Sequence, residues 1–272
     1  MRRFSRLYRL LVLTAALGLG GPALAQVPDT VYLEQLTWDE ARDAIASGKT
    51  TIIIPTGGTE QNGPHMALGK HNARVTANAG AIARRLGNAL VAPTMAYVPE
   101  GGLDPATGHM RYTGTITLPD PIYRQVLEYA ARSLKLHGFK DIVFLGDSGG
   151  NQPGQTAVAA TLNAEWAGAD VRVHNFFNYY RGDVEGDAAL MMQRGIRKDE
   201  IGDHADVRDT SLLLATAPGL VRMNKLQPGD GKNGVVGDPR RASAEIGRAL
   251  IEKTVTRTVA EIRASIVSAR KP

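Results

Sequence analysis

The sequence contains no cysteine. A chain without cysteine forms no disulfide bonds, so its fold depends on burial of apolar residues, and 272 residues suffice for a large core. The absence of thiols also restricts a metal site to histidine, carboxylate and neutral oxygen ligands. Linkers, low-complexity segments and internal repeats are lacking as well, which predicts a single folded domain.

Beyond the N-terminal segment the sequence has no long apolar run. No segment there reaches the about 18 apolar residues that a membrane helix needs. The first 25 residues combine four arginines, the short apolar run "LLVLTAALGLGG" and the small residues "ALA". This pattern predicts a secretory signal peptide over residues 1–25, cleaved after Ala25. We therefore expect a mature domain over residues 26–272 that is periplasmic or secreted and makes no membrane contact.

An excess of charge of one sign is also lacking from the mature chain. The full sequence has 32 basic and 27 acidic residues. Four arginines and no acidic residue lie in the predicted signal peptide, so 28 basic residues remain and the net charge falls to +1. A nearly neutral chain has no electrostatic basis for binding nucleic acid. We expect a small-molecule substrate instead.

Short apolar runs alternate with longer helical patterns along the mature chain. "TTIIIPTGG" and "DIVFLGDSGGN" predict buried strands that run into glycine loops. Helices are predicted from "HNARVTANAGAIARRLG", from the segment after Asp120 and from residues 242–267. The apolar spacing after Asp120 places Ile122, Val126, Ala130 and Leu134 on the inward helix face. Strands alternating with helices predict an α/β fold with a mostly parallel central sheet covered on both faces.

Polar residues that could carry chemistry follow these strands in three groups. They are Glu60, His65 and His71; Asp147, Ser148 and Asn151; and Asp203, His204, Asp206 and Asp209, with His109 alone in another loop. Each group by itself is also typical of a turn or a helix cap. Because ligands bind at the carboxyl ends of parallel strands, we expect the groups to converge there. Converging carboxylates and imidazoles predict a divalent-metal site.

Five segments of the chain resemble motifs of the creatininase (creatinine amidohydrolase) family. "PTGGTEQNGPHMALGKHN" is similar to the family's P-x-G-S-x-E-Q-H-G-P-H-L-P-L-x-T-D, and "GDSGGN" to N-G-H-G-G-N. "HADVRDTS" resembles H-A-G-E-x-E-T-S, and "GHMRYTGTITLP" and "GVVGDPRRASAEIG" match two further motifs in order. The resemblance implies a three-layer α/β/α sandwich, a divalent-metal centre, hydrolysis of amide-type C–N bonds and homo-oligomers, often hexamers.

The resemblance also implies where this chain departs from the family. Glu60 stands at a metal-ligating glutamate, and His71 stands at a metal-bridging aspartate. Asn62 and Ser148 replace ligating histidines, Gly150 stands where some members have a glutamate ligand, and Asp209 replaces a glutamate. We therefore expect one divalent ion per subunit, zinc, manganese or iron, where the family usually holds two.

Two functions remain open from the sequence. In the first, the protein is an exported metal-dependent hydrolase of a cyclic amide, formamide or short peptide. In the second, it is a non-catalytic periplasmic protein that binds a small ligand. The hydrolase would hold its metal with Glu60, His71 and either Asp147 or Asp209, and would move protons with His204 and Asp206. Its substrate would contact Asn62, His65, His109, Ser148 and Asn151. We also expect Glu60 and His71 to lie on a loop outside the core.

Overall fold

The computed structural model describes residues 28–270, so the predicted signal peptide lies outside the described residues. The central sheet has four parallel strands in the order β2-β1-β3-β4. These strands are β1 (Thr51–Thr56), β2 (Ala89–Val91), β3 (Asp141–Gly146) and β4 (Arg172–Asn175). The parallel sheet predicted from the alternating pattern is thus confirmed. A short antiparallel hairpin, β5 (Gly229–Asp230) and β6 (Val236–Gly237), stands apart from it.

Eight α-helices accompany the strands within the described residues. They are α1 (Trp38–Ala46), α2 (Lys70–Leu86), α3 (Asp120–Leu136), α4 (Gln152–Glu165), α5 (Phe177–Arg181), α6 (Val184–Gln193), α7 (Val207–Thr216) and α8 (Ala244–Ala269). Helix α2 ends before Gly87, whose φ of 85° is a left-handed conformation that glycine adopts without strain. Helix α6 is capped by Asp183, whose side chain accepts from the Gly186 amide at 3.0 Å.

The two faces of the sheet are covered by different helices, which gives the three layers. One face packs Ile52, Ile54 and Phe144 against apolar residues of α3 and α4. The other face packs Ile53 and Val143 against α2 and α8. Alternate residues of each strand thus enter opposite cores, as the two-residue period of a strand requires. The α/β/α sandwich follows from burying both faces of a parallel sheet.

The inward face predicted for α3 is wrong for Ile122 and Val126, whereas Leu134 is buried in the core and Ala130 packs against it, as predicted. Ile122 and Val126 are 47% and 46% exposed, while Tyr123 and Leu127 are fully buried in the core. The helix is turned by one residue relative to the prediction, so Tyr123 and Leu127 take the buried positions expected for Ile122 and Val126. The large Tyr123 ring fills the core. No helix of residues 28–270 combines the length and apolar character needed to cross a membrane.

The carboxyl ends of β1 and β3 lie side by side and position the site. The register pairs Thr56 with Gly146, and the Asp147 amide donates to the Thr56 carbonyl at 3.0 Å. The Asn151 side-chain amide then donates to the carbonyl oxygens of Thr56 and Gly57, at 3.0 and 2.9 Å. The two glycine loops therefore face one another, as predicted from their positions after the strands.

Candidate metal and substrate site

Glu60 lies in the loop that joins β1 to α2, and its side chain is 2% exposed. The loop is closed by the Glu60 amide, which donates to the Leu68 carbonyl at 3.1 Å. His71 Nε2 lies 2.8 Å from Glu60 Oε1, and Lys70 Nζ lies 3.8 Å from the same oxygen. Burial acts to raise the pKa of Glu60, but His71 and Lys70 outweigh it and hold the pKa well below its usual range. Glu60 is therefore ionised at neutral pH.

His204 reaches the site from the segment that precedes α7. Its carbonyl accepts from the Val236 amide of the hairpin at 2.8 Å, which anchors this segment. His204 Nε2 lies 3.0 Å from the Gln61 carbonyl oxygen. When Nε2 donates its hydrogen there, the Nδ1 lone pair is left free, 3.9 Å from Glu60 Oε1. Burial and then Lys70 lower the pKa of His204 to about 4, so the ring is uncharged at neutral pH.

His109 enters from the other side of Glu60. It lies in a short 3-10 helix, and its amide donates to the Glu100 carbonyl at 3.1 Å. His109 Nε2 is 3.2 Å from Glu60 Oε2, and the His109 and His204 ring centroids are 4.8 Å apart. Burial is the main cause that lowers the pKa of His109. The Gln61 side-chain nitrogen borders both rings, 3.1 Å from His109 Nδ1 and 3.0 Å from His204 Nε2.

Glu60, His109 and His204 together fit one divalent ion. They form a group of possible metal ligands whose ligand atoms all lie within 4.8 Å of one another. The 3.2 Å between Glu60 Oε2 and His109 Nε2 suits two ligands that each lie about 2.1 Å from one ion. The backbone carbonyl partner of His204 Nε2 is typical of a metal-binding histidine. Two histidines and a carboxylate leave a coordination position open, as in catalytic zinc sites.

Asp147 and Asp209, which we expected as metal ligands, are instead paired with buried cations. Arg74 Nε donates to Asp147 Oδ2 at 2.7 Å, and Arg74 Nη1 donates to Asp209 Oδ1 at 2.8 Å. Lys70 Nζ donates to Asp209 Oδ2 at 2.9 Å. Burial opposes ionisation of both aspartates, but these cations hold the pKa of each below its usual value. Neither carboxylate belongs to the group of possible ligands that Glu60 forms within the described residues.

His71 is also placed differently from the expectation. It lies in the first turn of α2 and is 2% exposed, so it belongs to the buried interior and not to an outer loop. Arg74 Nη2 donates to His71 Nδ1 at 3.2 Å, so Nδ1 carries the lone pair and Nε2–H donates to Glu60. Both ring nitrogens are thus occupied. Glu60 is buried as well, which corrects the prediction that either residue lies outside the core.

A cavity of about 520 Å³ opens beside the three possible metal ligands. Its lining includes Glu60, Glu100, His109, Ser148, Tyr180 and His204. Burial, followed by the charge of Glu60, raises the pKa of Glu100 to about 10, so this carboxyl stays protonated at neutral pH. The cavity therefore offers a neutral carboxyl, two hydroxyls and two imidazoles to a small polar molecule.

Comparison with known proteins decides the family. The creatinine amidohydrolase (Creatininase) family model matches residues 34–262. This chain belongs to the creatininase family. The creatinine amidohydrolase of Pseudomonas putida is 27% identical over 205 residues, which cover 72% of this chain and 76% of that relative. The mycofactocin precursor peptide peptidase of Mycobacterium ulcerans (strain Agy99) is 27% identical over 239 residues, 78% and 84% of the two chains.

Solved creatininase structures share the fold. One variant aligns with a TM-score of 0.75 at 25% identity, over 87% of this chain and 99% of its own. Another variant, of the Zn-Zn type, aligns with a TM-score of 0.68 at 25% identity, over 88% of this chain and 99% of its own. The resemblance stated from the motifs is confirmed, and the chain is an amidohydrolase of the creatininase type. The enzyme is therefore favoured over the non-catalytic binding protein.

Three of the expected substrate-binding residues hold the creatininase-type loops in place. Asn62 donates to the Glu60 and Ala67 carbonyls, and Asn151 bridges the two glycine loops. His65 Nε2 lies 2.9 Å from Thr210 Oγ1, and burial lowers the pKa of His65 to about 4. All three are fully buried and do not line the cavity, unlike His109 and Ser148.

Asp206, which we expected to handle protons, caps helix α7. Its Oδ1 accepts from the Asp209 amide and its Oδ2 from the Gly202 amide, both at 2.9 Å. Burial raises the pKa of Asp206 to about 6. Both oxygens of Asp206 bind backbone amides, and the residue does not line the cavity. Its role is therefore to cap the helix.

The sequence reasoning missed Lys70, Arg74 and Glu100. Lys70, Arg74 and Asn78 recur at four-residue intervals along α2, and all three are buried. The signal that could have identified Lys70 and Arg74 is this polar stripe with helical spacing, because α2 directly follows the loop that carries Glu60. Nothing in the pattern around Glu100 distinguishes it from an ordinary loop carboxylate.

Proposed function

We propose that this creatininase-family protein is an exported hydrolase that cleaves an amide-type C–N bond with one divalent ion per subunit. The observation that carries the proposal is the group of Glu60, His109 and His204 at the edge of the cavity. The ion would be zinc, manganese or iron, since a mixed imidazole and carboxylate set suits all three. Solved relatives include a manganese form and a Zn-Zn type.

The ligand residues present their atoms in a form ready to bind. Glu60 is held ionised and oriented by His71 through the 2.8 Å contact to Oε1, which leaves Oε2 directed toward His109. His204 is uncharged and donates Nε2–H to the Gln61 carbonyl. A bound divalent ion would polarise the scissile carbonyl and make a water molecule more acidic. The protonated Glu100 carboxyl at the cavity wall can donate a hydrogen bond to substrate.

The substrate is proposed to be a small cyclic amide, a formamide or a short peptide. The names of this protein's relatives cover both ends of this size range, a creatinine amidohydrolase and a mycofactocin precursor peptide peptidase. A cavity of about 520 Å³ accommodates a molecule of this size class, or the cleaved end of a peptide. Polar groups on its wall favour a substrate with hydrogen-bonding atoms on both sides of the amide.

Hydrolysis should depend on the metal ion. Mature protein dialysed against a chelator should lose its activity toward a panel of cyclic amides, formamides and short peptides. Zinc, manganese or iron should restore that activity, and amine release measures it. Arg132→Gln is the control, because this residue forms exposed ion pairs on α3 and α4 and should leave the rates unchanged. Full activity in the metal-free protein would contradict the metal-dependent mechanism.

Export and assembly are proposed from the sequence alone. We propose that the mature protein begins at Gln26, since the basic segment and "ALA" precede it. N-terminal sequencing of exported protein tests this proposal, and an intact Met1 would reject it. We also propose a homo-oligomer, and a hexamer would fit the resemblance. Light scattering that finds a monomer at micromolar concentration would reject the oligomer.

A further inference from the structure

Helix α3 carries an apolar stripe on the side that faces away from the core. Tyr129 and Leu136 are 69% and 81% exposed, and Ile122 and Val126 are about half exposed. The spacing of these four residues places them on one face of the helix. The opposite face, which includes Leu127, packs into the core. Among residues 28–270, the exposed stripe is therefore available to a partner.

An apolar groove of about 650 Å³ continues this surface at the C-terminal end of α3. Its walls include Leu134 and His137 beside Trp38 of α1, which is 78% exposed. Aromatic side chains bury about 150–250 Å² each when they are covered, so Trp38 and Tyr129 alone offer roughly 220–370 Å². Apolar patches of several hundred Å² mark interaction surfaces. The stripe and the groove thus supply much of the about 800 Å² that each partner gives to a stable interface.

The stripe is complementary to a second copy of itself. Ile122, Tyr129 and Leu136 follow one another at intervals of seven residues. A copy of α3 that runs antiparallel and is centred on Tyr129 places Ile122 against the partner's Leu136. Tyr129 then lies on the two-fold axis and meets the partner's Tyr129. A two-fold interface uses the same patch on both subunits, and this spacing meets that requirement.

The charges beside the stripe favour the antiparallel arrangement. Glu128 and Arg132 lie one helical turn apart on the same edge of the stripe, and each side chain is about one-third exposed. In an antiparallel pair centred on Tyr129, Arg132 lies beside the partner's Glu128, so opposite charges meet twice. A parallel pair would place each residue beside its own copy, and like charges that meet at an interface disfavour binding.

We propose that α3 forms a two-fold interface with α3 of a second copy of this chain, with Tyr129 at its centre. The groove beside Trp38 then receives the N-terminal end of the partner helix, where the partner's Ile122 lies. The inference rests on the proposed homo-oligomer and names the surface that forms it. It does not rest on the proposed hydrolysis, because the residues of the stripe do not line the cavity beside Glu60.

The absence of cysteine allows a crosslinking test with single introduced thiols. Helices in contact have axes about 8–10 Å apart, which brings residues on a two-fold axis within reach of a disulfide bond. Under mild oxidation of micromolar mature protein, Tyr129→Cys should therefore form a covalent dimer about 100-fold faster than Val267→Cys, because thiols held together react at a millimolar effective concentration. Val267 is the matched control, since it is 60% exposed but lies on α8, on the other side of the sheet. Non-reducing electrophoresis measures both rates.

A mixture of two variants tests the orientation of the helices. Ile122→Cys and Leu136→Cys should crosslink with each other after the subunits exchange, because these positions face one another in the antiparallel pair. Each variant alone should crosslink no faster than Val267→Cys, since its thiol lies about 21 Å along the helix from its own copy. Rapid crosslinking of Ile122→Cys with itself would instead indicate parallel helices and overturn the inference.

Light scattering of a charged double variant gives a second readout. Tyr129→Glu with Leu136→Glu removes two central apolar contacts and places like charges on the axis, which should weaken association by about 100-fold or more. The particle mass at micromolar concentration should therefore fall by at least half, whereas Val267→Glu should keep it. Both substituted residues are exposed, so the circular dichroism spectrum of the double variant should remain unchanged.

The outcomes separate this inference from the proposals on which it draws. A monomeric mature protein would overturn both the interface and the homo-oligomer. An oligomer whose mass does not change in the double variant, and whose Tyr129→Cys form crosslinks no faster than the control, would overturn the interface alone, and the stripe would then bind a different partner. Chelator-sensitive hydrolysis is measured separately, so its loss would reject the hydrolase without affecting the interface.

Discussion

His109→Ala should release the metal ion, while His71→Ala should retain it. His109 supplies one of three ligands, and the two that remain cannot hold an ion firmly, so the affinity should fall by more than about 100-fold. His71 only orients Glu60 through the 2.8 Å contact. Losing such an outer partner should weaken binding by about 10- to 100-fold and keep one ion per subunit. Titration calorimetry with zinc or manganese, together with elemental analysis, measures both effects.

Glu60→Gln and His204→Ala complete the comparison. Both residues belong to the same possible ligand group, so each variant should behave like His109→Ala. His65→Gln is the control, because this buried histidine contacts Thr210 and lies outside the ligand group. If His71→Ala loses its ion while His109→Ala keeps it, the ligand set predicted from the motifs is right and the one read from the structure is wrong.

Lys70→Met should strongly destabilise the fold although it conserves most of the side-chain volume. The ammonium group is fully buried and contacts Asp209 at 2.9 Å and Glu60 at 3.8 Å. Removing one partner of a buried ion pair leaves an uncompensated charge and costs about 3–5 kcal/mol of unfolding free energy. Urea denaturation followed by circular dichroism measures this loss as a lower midpoint.

Lys140→Met is the matched control for this change. Lys140 pairs with Asp170 on the surface, where solvent screens both charges, so its midpoint should remain nearly unchanged. The destabilisation of Lys70→Met should also decrease when Asp209→Asn is added, because the carboxylate that has lost the ammonium group, and keeps only Arg74 as a cation partner, is then removed. An unchanged midpoint in Lys70→Met alone would show that Asp209 does not depend on this cation.

The sequence by itself determined the layers and the location of the site. Apolar β-branched runs followed by glycine loops can bury both strand faces only in a covered parallel sheet, and β1 and β3 form one. Because parallel strands end at one edge of the sheet, the loops that carry Glu60 and Asn151 had to meet there. The motifs around these loops were sufficient to identify the creatininase family.

The pairing of charges in the interior was decided only by the tertiary structure. A lysine and an arginine four residues apart on α2 could equally face solvent, and nothing local to the helix shows that they reach Asp209 from α7 and Asp147 after β3. The local sequence of α3 likewise does not show which of its two adjacent apolar faces is buried in the core. Periodicity specifies that a face is buried, whereas the partners of each side chain depend on contacts between residues far apart in the chain. His71 therefore meets a guanidinium group at the position where the motif suggested a metal ion.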